Sequence, residues 1–303
     1  MTKKDKDIKK DTKKGKEAET EKRPLFSWLL IIILIFAILY LYARYVGPSG
    51  IKVNEYNITS GDVPESFDGF SIVQFSDLEL GTTFNTENLK SLVKKINSLD
   101  PDIIVFTGDL VNKDYKLSSK KEKILINSFN KMDALIGKYS VRGDDDTKSN
   151  VYEDIIENTD FIDITNNYEL IYYKGLTPIV LYGLDSLNKS NQNYDTTFAY
   201  PNDETDAAFM ATYRILLAHE PDTADKVSAY NIALMLSGHS HNSDINIPYL
   251  KELYKVKGAY KYSDEKYNVG GMQLYVSSGL GSSKYKVRLL SKPSISIFRL
   301  YRD

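Results

Sequence analysis

The chain contains no cysteine, so it can form no disulfide and offers no thiolate to zinc or to an iron–sulfur cluster. Any metal must be held by histidine, carboxylate or carbonyl oxygen. Histidine is itself scarce, with three in 303 residues. A basic footprint is missing as well. Beyond residue 23 acidic residues outnumber basic ones, which argues against nucleic acid as a partner. There is no Gly-x-Ser-x-Gly elbow, no internal repeat and no Gly- or Ser-rich linker. Gly279-Leu280-Gly281 lacks the helix-opening context of a dinucleotide site and reads as a turn.

What is present begins with charge. Residues 1–23 hold ten Lys or Arg against six Asp or Glu and almost nothing apolar, the composition of a disordered tail. Residues 24–46 then read as a transmembrane helix. From Trp28 to Ala43 there is no charged residue, and about 20 helical residues at about 1.5 Å each cross a ~30 Å hydrocarbon core. Trp28 near one end, and Tyr40, Tyr42 and Tyr45 near the other, suit the aromatic belts of a bilayer. A cleaved signal peptide fits less well, because the run is too long and no small-x-small site follows. The positive tail predicts a cytoplasmic N-terminus and a single pass through the cell membrane. The remaining domain, residues 51–303, would then be extracytoplasmic.

Within that domain, short apolar runs alternate with helical patterns. Strands are predicted over 51–56, 70–76, 102–106, 139–141, 161–165, 169–173, 179–184, 215–218, 232–236, 272–277 and 294–300. Helices are predicted over residues bearing Leu89, Leu92, Val93 and Ile96, and from about Lys121 to Leu135; 207–213 is a short helix at best. Residues 188–202 and the Tyr- and Lys-rich segment 249–269 read as loops that shape access to a site. Alternating strands and helices imply an α/β domain with parallel crossovers, which align strand C-termini along one edge. Five strand ends deliver a carboxylate or an imidazole to that edge: Asp77, Asp109, Asp144, His219 and His239. Open α/β sheets place their ligands there. The pattern points to a hard metal site in which two divalent ions clamp an in-line displacement at phosphorus. Asp109, after a glycine that permits a tight turn, is the expected bridging carboxylate.

The order of these motifs resembles the calcineurin-like metallophosphoesterases. That family carries Asp-x-His, Gly-Asp, Gly-Asn-His-Asp or -Glu, a lone His, and Gly-His-x-His, each after a strand. Here they stand as Asp77-Leu78-Glu79, Gly108-Asp109, Gly143-Asp144-Asp145-Asp146, His219 and Gly238-His239-Ser240-His241. The ending Tyr275–Gly281, followed by Val287-Arg288, looks like the membrane-anchored bacterial branch. The resemblance implies a four-layer α/β/β/α sandwich over about residues 51–300. It implies one metal on Asp77, Glu79, Asp109 and His241, and another on Asp109, Asp144, His219 and His239. Three positions depart from the pattern: Glu79 replaces a His, Asp144 an Asn, and Asp145 the His that contacts phosphate and assists the leaving group. A set of four carboxylates and three imidazoles favours hard ions, with manganese placed ahead of magnesium, iron and zinc. The expected activity is hydrolysis of a phosphodiester, a phosphomonoester or a lipid-linked pyrophosphate, with Asp145 as the catalytic acid. The alternatives are a binding or scaffolding module that kept the fold and lost turnover, and a cation sensor.

Overall fold

The computed structural model describes residues 26–199, 212–241, 244–247, 255–283 and 285–303. The charged tail and the 207–211 part of the predicted short helix lie outside them. Two compact units are separated at Val46/Gly47. In the first, helix α1 (Phe26–Val46) is 21 residues long and widens to a π-helix at Tyr42–Val46. It is long and apolar enough to cross a membrane, and its large apolar side chains are exposed all along its length.

The second unit contains two six-stranded sheets. The strands are β1 (Lys52–Thr59), β2 (Ser71–Phe75), β3 (Ile103–Phe106), β4 (Gly137–Ser140), β5 (Phe161–Asp163), β6 (Asn167–Ile171), β7 (Ile179–Leu184), β8 (Arg214–Ala218), β9 (Leu234–Ser237), β10 (Lys266–Val269), β11 (Met272–Val276) and β12 (Ser294–Tyr301). The first sheet runs β1-β12-β2-β3-β4-β5 and the second β10-β11-β9-β8-β7-β6. Strands β2 to β5 are mutually parallel, as are β7, β8, β9 and β11. Helices α2 (Thr86–Asn97), α3 (Ser119–Phe129) and α4 (Val151–Ile156) supply the crossovers of the first sheet.

Period-two alternation builds the layers. Ile72, Ile103, Val105, Ile215, Leu217, Leu234 and Leu236 meet between the sheets. Their neighbours Val73, Ile104 and Phe106 face the helices, where Leu89, Leu92, Ile96, Leu125 and Phe129 cover them. On the far side of the second sheet, Tyr182, Leu216 and Met235 pack with Ala224, Val227 and Tyr262. Strands buried on both faces read as continuous apolar runs, which is why β2, β3, β8 and β9 were legible. The domain is a two-sheet α/β sandwich, as expected. Its fourth layer is thin among the described residues: α5 (Tyr194–Thr197) and the 3-10 turns Pro221–Lys226 and Ser228–Tyr230.

Three local differences from the sequence reading have physical causes. Helix α3 stops at Phe129, six residues before the expected end. The buried Lys138 Nζ donates to the carbonyls of Phe129 (3.2 Å) and Met132 (2.8 Å), taking acceptors that another helical turn would need. The end of segment 249–269 is strand β10, paired antiparallel with β11 through Gly270-Gly271, both at positive φ, the geometry of a two-residue hairpin turn. Helix α4 is too short for its periodicity to stand out. Helix α2 begins as its sequence invites, with Asn85 accepting from the amides of Glu87 and Asn88.

Candidate metal centre

Loops from both sheets meet where the parallel strands end. After β2 and β3 the chain runs as two adjacent ribbons: the amide of Asp77 donates to the carbonyl of Gly108 (2.9 Å) and that of Glu79 to Asp109 (3.1 Å). The β4 loop joins them through Asp146, whose carboxylate accepts from the amides of Asp109 (2.7 Å), Leu110 (2.8 Å) and Gly143 (2.9 Å). The approach leaves no room for side chains. A Cβ on Gly143 would lie 2.2 Å from Oδ1 of Asp109, and one on Gly108 2.4 Å from the amide nitrogen of Gly143. The second sheet is tied in by Asp77, which accepts from the amide of His239 (2.9 Å). Asp77, Glu79, Asp109, His239 and His241 all have positive φ. Such strain in non-glycine residues persists only where surrounding structure enforces it, and it clusters at functional sites.

Two donor groups result. Asp109, Asp144, His219 and His239 each place one ligand atom within 4.8 Å of the others, and so do Glu79, Asp109 and Asp145. Asp109 belongs to both. The first group is the set expected for one ion. In the second, Asp145 stands with Glu79 and Asp109, close to where Asp77 and His241 were expected. His241 nonetheless faces them, its Nε2 lying 3.4 Å from Asp77 Oδ1 and 4.0 Å from Glu79 Oε1.

Each imidazole has one nitrogen turned to a backbone carbonyl and the other turned inward. His219 Nδ1 donates to Thr107 O (2.6 Å), and its Nε2 lies 3.1 Å from Asp109 Oδ2. His239 Nε2 donates to Lys257 O (2.7 Å), and its Nδ1 lies 3.2 Å from Asp144 Oδ1 and from His219 Nε2. His241 Nδ1 points at Gly281 O (3.3 Å). A carbonyl on the outer nitrogen fixes the tautomer and leaves the inner lone pair for a cation, the usual arrangement behind metal-ligating histidines. The residues present therefore fit a pair of divalent ions.

The crowding shows in the acidities. Burial, then the Asp109 charge, pushes Glu79 well above the usual carboxylate range. Burial also raises Asp109, against the pull of His219. For Asp144, burial acts upward, but the hydrogen bond from His239 and the nearby cationic groups bring it below its usual value. Burial disfavours charged His219, yet Asp109 outweighs this and raises it well above normal. His239 is raised in the same way, with Asp144 outweighing burial. The upward shifts of Glu79, Asp109, His219 and His239 favour protons with which a divalent cation would compete.

Several residues here were missed in the sequence. Asn112 donates to Glu79 Oε2 (2.6 Å). Glu220 accepts from Ser186 Oγ (2.5 Å) and from the amides of Leu187 and Asn188, joining the β7 and β8 loops. Lys148 pairs with Asp145, which offsets part of that carboxylate's charge. Asp146 was visible as the fourth position of its motif, but its role as a staple was not. Asp146→Ala is expected to cost about 3 kcal/mol and to lower Tm by roughly 10 °C, because it strips a charged acceptor from three buried amides. Thermal unfolding followed by circular dichroism checks this.

A cleft of about 620 Å³ opens over the centre. Glu79, Asp109, Asp144, Asp145, His239 and His241 line its floor, and Lys113, Lys189, Lys257 and Lys286 also line it. Residues 70–243 match the calcineurin-like phosphoesterase family profile. The metallophosphoesterase YkuE of Bacillus subtilis is 34% identical over 264 residues, spanning 86% of this chain and 89% of that protein. The UDP-2,3-diacylglucosamine pyrophosphatase LpxG of Chlamydia muridarum is 26% identical, spanning 89% of this chain and 95% of its own. Among solved structures, the calcineurin-like phosphoesterase YfkN of Bacillus subtilis superposes with a TM-score of 0.44 at 14% identity, over 70% of this chain and 82% of that one. With a matched region exceeding half its length and a relative aligned nearly end to end, the chain belongs to the calcineurin-like phosphoesterase family.

Proposed function

We propose that this protein is a membrane-anchored, metal-dependent phosphoesterase that hydrolyses a phosphodiester, a phosphomonoester or a lipid-linked pyrophosphate. The observation that carries this reading is the pair of donor groups sharing Asp109, backed by three histidines whose outer nitrogens face carbonyls. Asp77, Glu79, Asp109 and His241 would hold one cation, and Asp109, Asp144, His219 and His239 the other. The oxygen-rich set favours manganese over magnesium, iron or zinc. When bound, such a pair polarises phosphoryl oxygens and makes water acidic enough to serve as a nucleophile near neutral pH.

The chain's own residues orient these groups and admit the substrate. Asp109 fixes the spacing of the two sites. Thr107, Lys257 and Gly281 hold the imidazoles through their carbonyls. Asp145, kept in place by Lys148, stands beside the Glu79–Asp109 side and takes the role of proton donor to the leaving oxygen. Protein purified in detergent and loaded with Mn²⁺ should hydrolyse bis(p-nitrophenyl) phosphate, and chelation should abolish that activity. No turnover with any divalent metal, in protein that binds two ions, would leave the binding-module reading in place. Asp145→Asn separates two roles for that residue. Loss confined to poor leaving groups marks an acid, whereas loss of metal marks a ligand.

We further propose three segments: a cytoplasmic tail over residues 1–23, a span over 24–46, and a phosphoesterase domain over 51–303 outside the cytoplasm. Protease added to intact, wall-free cells should remove the domain and leave a short membrane stub. Full protection of the domain would reverse the assignment.

A further inference from the structure

We infer that the cleft selects an organic diphosphate, two linked phosphates of which one is cleaved, and that Lys113, Lys189, Lys257 and Lys286 form a collar that binds the second phosphate. This rests on the phosphoesterase reading and narrows its substrate class. The four lysines come from four separate segments: the loops after β3, β7 and β9, and the segment between β11 and β12. They converge on one cleft in a chain whose acidic residues outnumber its basic ones.

Like most lysines of the domain, none of the four is tied to a carboxylate among the described residues. Lys138, Lys148 and Lys261 each pair with an aspartate. Among the described residues Lys257 Nζ reaches the carbonyl of Asn188 (3.4 Å), and Lys286 Nζ that of Gly81 (3.3 Å). Glu79, Asp109, Asp114, Asp144 and Asp145 line the same cleft, so the lysines form a local positive rim beside an acidic floor, and such a rim attracts anions. Two divalent cations beside Asp77, Glu79, Asp109 and Asp144 give a floor that is close to neutral. Attraction for an anion therefore falls to the collar, which carries more positive charge than one phosphate can use.

Asp145 supplies an independent reason. It stands with Glu79 and Asp109 in the cleft, and it is held by Lys148. An alkoxide leaving group needs a proton during departure. A phosphate does not, since its second ionisation lies near pH 6. In the inferred reaction, a water oxygen forms a bond to one phosphorus and the bridging P–O bond breaks. The bridging oxygen leaves with the electron pair on the second phosphate, and one water proton passes to solvent. The products are two phosphomonoesters from a diphosphate esterified at both ends, or a phosphomonoester and orthophosphate from one esterified at a single end. Collar lysines stabilise the charge on the departing phosphate, so this substrate does not depend on the proton that Asp145 would give to an alkoxide.

The test uses full-length protein in detergent with saturating Mn²⁺. UDP-glucose in solution and an alkyl diphosphate ester in mixed micelles are compared with bis(p-nitrophenyl) phosphate, which has a good leaving group and a single negative charge. At least one diphosphate should exceed the single-phosphate diester in kcat/KM by about tenfold, and the advantage should shrink with added salt. The double variant Lys257→Met/Lys286→Met should lose about twentyfold on that diphosphate and several times less on the diester. A preference for the diester, or equal losses on both, would overturn the collar. Should nothing be hydrolysed, calorimetry of the Mn²⁺-loaded protein with imidodiphosphate and with orthophosphate decides separately. Tighter, salt-sensitive binding of imidodiphosphate that weakens in the double variant upholds the collar while the hydrolytic reading fails; equal binding of the two anions rejects the collar.

Discussion

Asp109→Ala is expected to lower kcat/KM by at least about a thousandfold, on the order of 4 kcal/mol of transition-state stabilisation, and to release both ions. Asp109 is common to both donor groups, so its loss strips a ligand from each site. Its Oδ2 also lies 3.1 Å from His219 Nε2, and its Oδ1 accepts from the amide of Asp145 (3.0 Å). Truncation therefore loosens two loops at once. The position has φ of 60°, where alanine is strained by about 1 kcal/mol, so Asp109→Asn is the better control because it tolerates that backbone and keeps an oxygen. Elemental analysis of metal per chain, read beside kcat/KM, decides the matter. Retention of two ions in Asp109→Ala would show that the carboxylate does not bridge.

The second large effect is an opposite pH dependence with and without metal. In the metal-free protein, Glu79, Asp109, His219 and His239 are all raised above their usual values. Burial, reinforced by the Asp109 charge, lifts Asp146 to about 7. At the centre the folded state thus binds more protons than the unfolded one, with Asp144 shifting the other way. Stability from a raised group is fully present below its unfolded pKa and is lost as pH rises through the folded value. For Asp146 that window runs from about 4 to about 7, and its contribution is on the order of 4 kcal/mol. Metal-free protein should therefore lose stability steadily over this range. Ions bind only deprotonated ligands, so their stabilisation grows with pH. At pH 7.5, with free Mn²⁺ a hundredfold above Kd, two sites contribute about 5 kcal/mol, or roughly 10–20 °C in Tm. Melting curves from pH 5 to 8, with and without Mn²⁺, should converge at the acid end. Parallel curves would mean that these groups exchange no protons for metal.

The strand ends and the apolar runs behind them were legible because burial on both faces leaves a composition that no loop imitates. Parallel crossovers align strand ends within one sheet, but the single edge expected for Asp77, Asp109, Asp144, His219 and His239 is two: the aspartates follow strands of the first sheet and the histidines strands of the second. The collar was not legible. Lysines are common on any surface, and nothing in the spacing of Lys113, Lys189, Lys257 and Lys286 shows that four loops converge. Nor could sequence reveal that Lys148 reaches back to pair with Asp145. The early end of α3 depended on Lys138, nine residues beyond Phe129 and in the next strand. Tertiary contacts of this kind override a helical pattern without leaving a trace in it.

The order of strands in the first sheet has a consequence for how the domain is made. Strand β12 lies between β1 and β2, parallel to the first and antiparallel to the second, and some of its partners lie 240 residues away along the chain. Until those residues leave the ribosome, β1 has no neighbour and β2 has an open edge. Hydrophobic strands with unpaired edges are templates for aggregation. Contacts so distant in sequence also make folding slow. A nascent chain in this state cannot close its first sheet until β12 has emerged, so the last strand made completes the first sheet begun.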